Sequence, residues 1–238
     1  MIKKMRVVIQ ARMESSRLPG KILAPIAGYP LLGHVVRRLR AAGDAEAGWE
    51  VHVATTTRPA DDVTEQLCRK LGVFCFRGPS EDVLGRFVEA SRDLSEDDLV
   101  IRATADNPLY CPRRSAAIVG EHNLRDADYT CVEGLSYVVP EVIRAGALRQ
   151  MAVRATDSKC REHVTPYFRR SGHGFDVATL PRHWFALRPE IRLTIDTPEE
   201  LQQIAWVIES IGLDWPLLPL ERVYDLYEQK QPSKRRAA

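Results

Sequence analysis

Three cations fall within one short stretch near the N-terminus: Arg12, Arg17 and Lys21 in Gln10-Ala11-Arg12-Met13-Glu14-Ser15-Ser16-Arg17-Leu18-Pro19-Gly20-Lys21. A guanidinium grips phosphate oxygens with a planar fork, and an ammonium acts as a compact point charge. Such a loop suits a substrate with several negative charges in a row, a triphosphate above all. Two acids add the other half of that chemistry. Asp106 stands in Arg102-Ala103-Thr104-Ala105-Asp106-Asn107-Pro108, and Asp196 in Arg192-Leu193-Thr194-Ile195-Asp196-Thr197-Pro198-Glu199-Glu200-Leu201. Mg²⁺ takes hard oxygen ligands, often one or two carboxylates completed by water and substrate phosphates. Each feature also has a plain structural explanation. The loop would then be a solvated cationic turn, Asp106 a turn residue, and Asp196 a charge at a helix start. No Gly-x-x-x-x-Gly-Lys-Ser/Thr run is present, so the cationic loop is not a Walker A loop.

The elements around these residues decide whether they can meet. Met5-Arg6-Val7-Val8-Ile9 is an apolar, β-branched run that feeds the cationic loop directly. Leu31, Leu32, Val35, Val36 and Leu39 follow helical spacing, with Pro30 suited to the first turn and Gly43 to the stop. A strand at Val51–Ala54, a helix marked by Val63, Leu67 and Leu71, and a strand at Val73–Phe76 come next. A turn at Arg77–Asp82, a helix through Val83, Leu84, Phe87 and Val88, and a strand at Leu99–Ala103 follow. Strand and helix alternate with short connections, which predicts an α/β, doubly wound, mostly parallel sheet. Ligands of such sheets bind beyond the carboxyl ends of the strands. Asp106 follows the strand at 99–103, and Asp196 follows an expected late strand at Arg192–Ile195. If both strands run the same way, both carboxylates reach the ligand edge. Thr197, Pro198 and Glu200 form a capping-box helix start, and Leu201, Ile204, Ile208 and Ile211 line one face of that helix. Around Cys131 the alternation breaks, and 131–190 is expected to be an excursion from the sheet. The expected organisation is a single domain over 1–230, with a disordered basic tail at 231–238.

Composition narrows the partners. The 238 residues are 45% hydrophobic and 28% charged, ample for a packed core. A net charge of +2 argues against a dedicated nucleic-acid binder. No run approaches the length of a membrane span, and Met1–Met5 leads into a strand rather than a signal-peptide core. The expected compartment is the cytoplasm, with no membrane or nucleic-acid partner. The five cysteines, Cys68, Cys75, Cys111, Cys131 and Cys160, show no Cys-x-x-Cys pair and no even framework. They read as small apolar residues, and Cys160, in a polar stretch, could equally be an exposed thiol.

The spacing Gln10-Ala11-Arg12-x-x-Ser15-x-Arg17-Leu18-Pro19-Gly20-Lys21 closely resembles the first signature of the cytidylyltransferases that activate acidic sugars, such as CMP-KDO and CMP-sialate synthetases. The nearest look-alike is the SpsF-like branch, named after a spore-coat polysaccharide protein. The segments around Asp106 and Asp196 resemble two further signatures, and the match covers most of residues 5–205. The resemblance implies a Rossmann-like, GT-A-like nucleotidyltransferase fold and Mg²⁺-dependent transfer of CMP from CTP to an acidic or otherwise anionic acceptor, with release of pyrophosphate. It implies a role in polysaccharide biosynthesis and a homodimer. It places Ala11, Arg12, Ser15, Arg17, Lys21, Gly78, Ser80 and Asp106 at the nucleotide, metal on Asp106 and Asp196, and catalysis on Arg12, Lys21, Asp106 and Asp196. Segment 131–190 would shape the acceptor pocket and the dimer contact. Ser80 could equally cap a helix, and His163, in Glu162-His163-Val164-Thr165-Pro166, could contact substrate, contact a partner subunit or be structural.

Two positions depart from the family pattern. Ala105 replaces a glycine, which would strain the backbone if φ there were positive. Segment Glu133–Glu141 carries bulky valines where a glycine-containing run is common, so the acceptor is left open. Other classes of function also fit parts of the chain. Asp126-Ala127-Asp128 matches the Asp-x-Asp metal motif of a nucleotide-sugar-dependent glycosyltransferase. A non-catalytic nucleotide-binding regulator would bind CTP without turnover. Nucleic-acid binding through the basic tail would show as salt-dependent affinity.

Overall fold

Alternate residues of the first strand enter two different cores. In β1 (Met5–Gln10), Val7 and Ile9 join one buried cluster while Val8 joins the other. Leu99 and Ile101 of β6 (Leu99–Thr104) separate from Val100 in the same way. A strand with apolar side chains on both faces must be covered on both faces, and helices do this here. The computed structural model describes residues 3–43, 48–134, 137–188, 190–212 and 219–230. The basic tail at 231–238, and Leu135 and Ser136 of the departing segment, lie outside the described residues.

Two short strands, β2 (Pro25–Ile26) and β3 (Tyr29–Pro30), form a small hairpin beyond the cationic loop. The remaining strands of the main sheet are β4 (Glu50–Thr56), β5 (Phe74–Gly78), β7 (Tyr129–Val132), β8 (Glu141–Arg144) and β9 (Val177–Leu180). The seven-stranded sheet has the order β5-β4-β1-β6-β8-β7-β9. All its pairings are parallel except those of β8, which runs antiparallel to both β6 and β7. The helices are α1 (Leu31–Gly43), α2 (Asp62–Leu71), α3 (Val83–Ala90), α4 (Pro112–Arg125), α5 (Ala145–Arg154), α6 (Ser158–His163), α7 (Pro198–Ile211) and α8 (Leu220–Lys230). Residues of α1, α4, α7 and α8 fill the first core, and residues of α3, α5 and α6 fill the second. The doubly wound α/β architecture is therefore present.

Two local expectations change, and the structure decides a third. Segment 131–190 does not leave the sheet as a whole, because β8 and β9 belong to it. The apolar pair Val142-Ile143 supplies the reason: both are wholly buried and pair with β6. The longest part outside the sheet is the stretch between β8 and β9, which contains α5 and α6. The late strand at 192–195 does not form either. That segment has no regular structure, and Ile195 N donates to Asp106 O at 2.9 Å, so it docks on the turn after β6 and adds no ladder. Cys160 is buried rather than exposed, and burial pushes its thiol up.

The Thr197 capping box does form. Thr197 Oγ1 accepts from Glu200 N at 3.2 Å, and Glu200 Oε2 accepts from Thr197 N at 3.0 Å. Ala105 carries no strain, since the non-glycine residues with positive φ are Ala27, Asp126, Val164 and Ala186 among the described residues.

Candidate active site

Strand β1 ends at Gln10, and the chain then folds back on itself without regular structure until a 3₁₀ turn at Lys21–Leu23. Met13 O accepts from both Ser15 N at 3.0 Å and Gly20 N at 2.9 Å, which closes the loop. Gly20 has φ 73°, the left-handed region that glycine enters at little cost, and this turn delivers Lys21 to the interior. Asp61 anchors the loop from outside by accepting from Met13 N at 2.8 Å. Asp61 is itself held by the hydroxyl of Thr56, the last residue of β4.

Lys21 is buried and stands where the three signatures meet. Its Nζ donates to Asp196 Oδ1 at 2.8 Å, to Ile195 O at 2.6 Å and to Asp106 Oδ2 at 3.3 Å. Arg17 pairs with Asp196 Oδ2 at 2.9 Å, and Arg192 pairs with the same oxygen. Burial pushes the Asp196 carboxyl up, but Lys21, Arg17 and Arg192 outweigh it and hold the group below its ordinary value. Glu200 Oε2 also accepts from Asp196 N at 2.7 Å, so the capping box that starts α7 fixes the backbone of the site aspartate. Asp106 follows β6 directly, and Thr194 Oγ1 donates to its carbonyl at 3.3 Å.

A cavity of about 260 Å³ opens over this cluster. Ala11, Arg12, Ser15, Arg17, Lys21, Asp106 and Asp196 all line it. Seven expected site residues thus share one cavity. Gly78 and Ser80 do not line it. A Cβ on Gly78 would meet Arg86 Cγ and Phe76 Cε1 at 2.9 Å, so close packing of protein against protein accounts for glycine there. Ser80 is not the cap of α3. Asp82 is, accepting from Gly85 N at 2.9 Å. The turn is nonetheless tied to the cationic loop, because Arg58 pairs with Glu81 at 2.9 Å and with Glu14.

The two carboxylates suit a hard divalent cation. An ammonium already sits between them, which shows that both converge on one point, and Asp106 Oδ1 has no hydrogen-bond partner among the described residues. With only two carboxylates, the remaining ligands would have to be water and substrate oxygens, the arrangement Mg²⁺ favours. The Asp126–Asp128 motif stands elsewhere. Asp126 caps α4, and both acids pair with Arg144, at 2.7 and 3.6 Å.

A second cavity, of about 540 Å³, adjoins the first. Thr104 and His163 line both. His163 ends α6 and is followed by Val164, at φ 68° and ψ −62°, with Thr165 N donating to His163 O at 2.8 Å. That is a strained γ-turn, and the strain falls on a β-branched residue. Helix α6 is held across the site by Arg161 on Asp82 at 3.3 Å and by Glu162 on Arg12 at 3.7 Å. The floor of the larger cavity is an ionic network centred on Glu141. Glu141 Oε2 accepts from Arg102 at 2.6 Å, and its Oε1 accepts from Arg169 at 2.8 Å and from Tyr129 Oη at 2.5 Å.

Sequence reasoning gave no role to Arg58, Asp61, Lys159 or Arg169. Arg58 and Arg169 find their partners 23 to 44 residues away, and Asp61 reaches Met13 48 residues back, so no local spacing betrays those contacts. Arg192, Arg102 and Glu141 lay inside quoted segments, yet as ligands of other side chains they carried no separate signal, and Glu200 was legible as a capping-box acid but not as the acceptor for Asp196 N.

A family model described as a cytidylyltransferase matches residues 6–231. The spore coat polysaccharide biosynthesis protein SpsF of Bacillus subtilis is 33% identical over 208 residues, covering 86% of each chain. A 3-deoxy-manno-octulosonate cytidylyltransferase of Hydrogenovibrio crunogenus is 36% identical over 129 residues, 52% of this chain and 49% of that one. Among solved structures, a cytidylyltransferase from Leptospira borgpetersenii superposes with a TM-score of 0.83 at 26% identity, covering 96% of this chain and 95% of its own. CMP:2-keto-3-deoxy-manno-octonic acid synthetase complexed with CTP shares the fold, with a TM-score of 0.66 at 19% identity.

Proposed function

Because the chain belongs to the cytidylyltransferase family, we propose that it transfers CMP from CTP to an anionic sugar or related acceptor, with release of pyrophosphate and dependence on Mg²⁺. The observation that carries this is the contact of Lys21 with both signature aspartates, which brings the cationic loop, Asp106 and Asp196 to one point.

The smaller cavity takes the triphosphate. Arg12, Arg17 and Lys21 neutralise its charge, and Lys21, buried and fixed by three acceptors, keeps its position as charge moves onto the departing pyrophosphate. The larger cavity takes the acceptor. Its attacking oxygen reaches the α-phosphorus through the opening at Thr104 and His163, in line with the bond to the β-phosphate. Asp106 and Asp196 would hold Mg²⁺, which supplies polarisation of the phosphoryl group. Segment 131–190 supplies Glu141, Lys159, His163 and Arg169 to the acceptor side, and a homodimer through this segment belongs to the same proposal.

Pyrophosphate release, measured with each nucleoside triphosphate plus Mg²⁺ against acidic sugars, sugar phosphates and phosphonates, tests the reading. The expected result is acceptor-dependent release with CTP that is lost in Asp106→Ala and Asp196→Ala. Turnover that survives both substitutions would remove the metal assignment, and CTP binding without release for any acceptor would favour a regulator. The glycosyltransferase alternative draws no support from Asp126 and Asp128, which are both engaged by Arg144.

A further inference from the structure

The cavity beside the triphosphate site carries its charge at the end away from the reaction. Arg102 and Thr104 lie on one face of β6, two residues apart, and both line it. Thr104 stands at the opening shared with the smaller cavity. Arg102 is therefore one side-chain step, about 6.6 Å along the strand, deeper than the opening. Its cross-strand neighbour is Glu141, the first residue of β8.

Glu141 is not available to a ligand. Its two oxygens are taken by Arg102, Arg169 and Tyr129, with Thr165 Oγ1 at 3.3 Å from each. Burial pushes this carboxyl up, but Arg102, Tyr129 and Arg169 outweigh it and keep it below its ordinary value. One buried anion thus fixes two guanidiniums whose other donors remain. Arg102 Nε is buried without an acceptor among the described residues. Lys159 lines the same cavity and has no ion-pair partner among the described residues. Arg170 also lines it and is paired with Asp157 at 2.7 Å. Setting Arg170 against Asp157, and Glu141 against one of its two guanidiniums, leaves an excess of positive charge facing the cavity. At about 540 Å³ it has room for a sugar-sized molecule.

Resting on the proposed transfer reaction, we propose that Arg102, Arg169 and Lys159 form a subsite for an anionic group that is remote from the acceptor's attacking oxygen. The acceptor is then an elongated molecule with its reactive oxygen at one end and a carboxylate or phosphate near the other. An acid whose carboxylate adjoins the attacking hydroxyl would place its charge at Thr104 and leave the Arg102 end unfilled. Glu141 is the positioning residue of this subsite.

Glucuronate 1-phosphate and glucose 1-phosphate differ only at C6, which is a carboxylate in the first and a hydroxymethyl in the second and is remote from the phosphate oxygen that attacks, so they probe this directly. Their binding to the full chain is measured by calorimetry with Mg²⁺ and an α,β-methylene analogue of CTP present. The expected result is at least tenfold tighter binding of glucuronate 1-phosphate. In Arg169→Met, and separately in the exposed Lys159→Met, that preference falls at least threefold while affinity for the CTP analogue stays within twofold. Equal binding, no binding of either sugar, a preference untouched in both variants, or tighter binding of 3-deoxy-manno-octulosonate than of glucuronate 1-phosphate would overturn the subsite. Pyrophosphate release from CTP is followed in parallel. A preference that holds without any release would retain the subsite and reject the transfer reaction.

Discussion

Lys21 carries more of the site than its type suggests. A buried ammonium requires partners, and Lys21 has two carboxylates and a carbonyl. Those same partners fix the cation that, in the proposed reaction, would meet the charge growing on the leaving pyrophosphate. Replacing it with methionine keeps the aliphatic stem and removes both roles. Lys21→Met is expected to lower kcat by about 10² to 10³, the usual cost of removing one preorganised charge donor from a transition state. Asp196 keeps Arg17 and Arg192 in that variant, so the fold is expected to persist. Steady-state pyrophosphate release and a thermal melt on the same preparation check both halves.

The turn into α7 links stability to function. Glu200 closes the capping box on Thr197 and also holds the backbone N–H of Asp196. Thr197→Ala removes the acceptor for Glu200 N, and a loss of about 1 kcal/mol in unfolding free energy is expected by denaturant titration. Helix α4 offers a pH-dependent counterpart. His122, in its last turn, is buried, with its Nδ1 2.8 Å from Thr130 Oγ1, and burial, then Lys3 and Arg144, push its pKa down to about 4. The unfolded chain, with an ordinary histidine near 6.5, binds the proton more readily. Stability from this group is therefore full above pH about 6.5, and it falls as the pH drops toward 4. Up to about 3 kcal/mol is at stake over that window. Comparing His122→Gln with the unsubstituted chain by denaturant melts between pH 4 and 7 checks it, and the variant is expected to show the shallower slope.

Across the molecule, apolar side chains and not the site's charges fill the two cores of the sheet. Arg6 shows how the frame closes on itself: it joins β1 to Glu50 at 2.5 Å and to Asp93 at 2.5 Å, and its guanidinium is nearly buried. The frame should therefore outlast the metal. Chelation by EDTA is expected to abolish acceptor-dependent pyrophosphate release while moving the melting midpoint by no more than about 2 °C, the shift that a change of about 1 kcal/mol or less produces in a chain of this size. Readdition of Mg²⁺ should restore release. Among the described residues no helix is long and apolar enough to cross a membrane.

The amino-acid sequence by itself determined the alternation of β1, β4, β5 and β6 with helices, because hydrophobic period is a local property. It determined the Thr197 cap for the same reason, and it determined the cationic loop and both aspartates, because side-chain chemistry and spacing are written along the chain. The antiparallel β8 and the inclusion of β9 in the sheet were decided by tertiary structure, since four-residue strands carry little periodicity and depend on their neighbours. Docking of the Asp196 segment on the turn after β6, without a strand of its own, was decided there too, by a hydrogen bond from Ile195 N to Asp106 O, 89 residues back along the chain. So was the floor of the second cavity, where Arg102, Tyr129, Glu141 and Arg169 meet from four separate segments. Charges that must be buried find their partners in space, and no local pattern records which partner each will find.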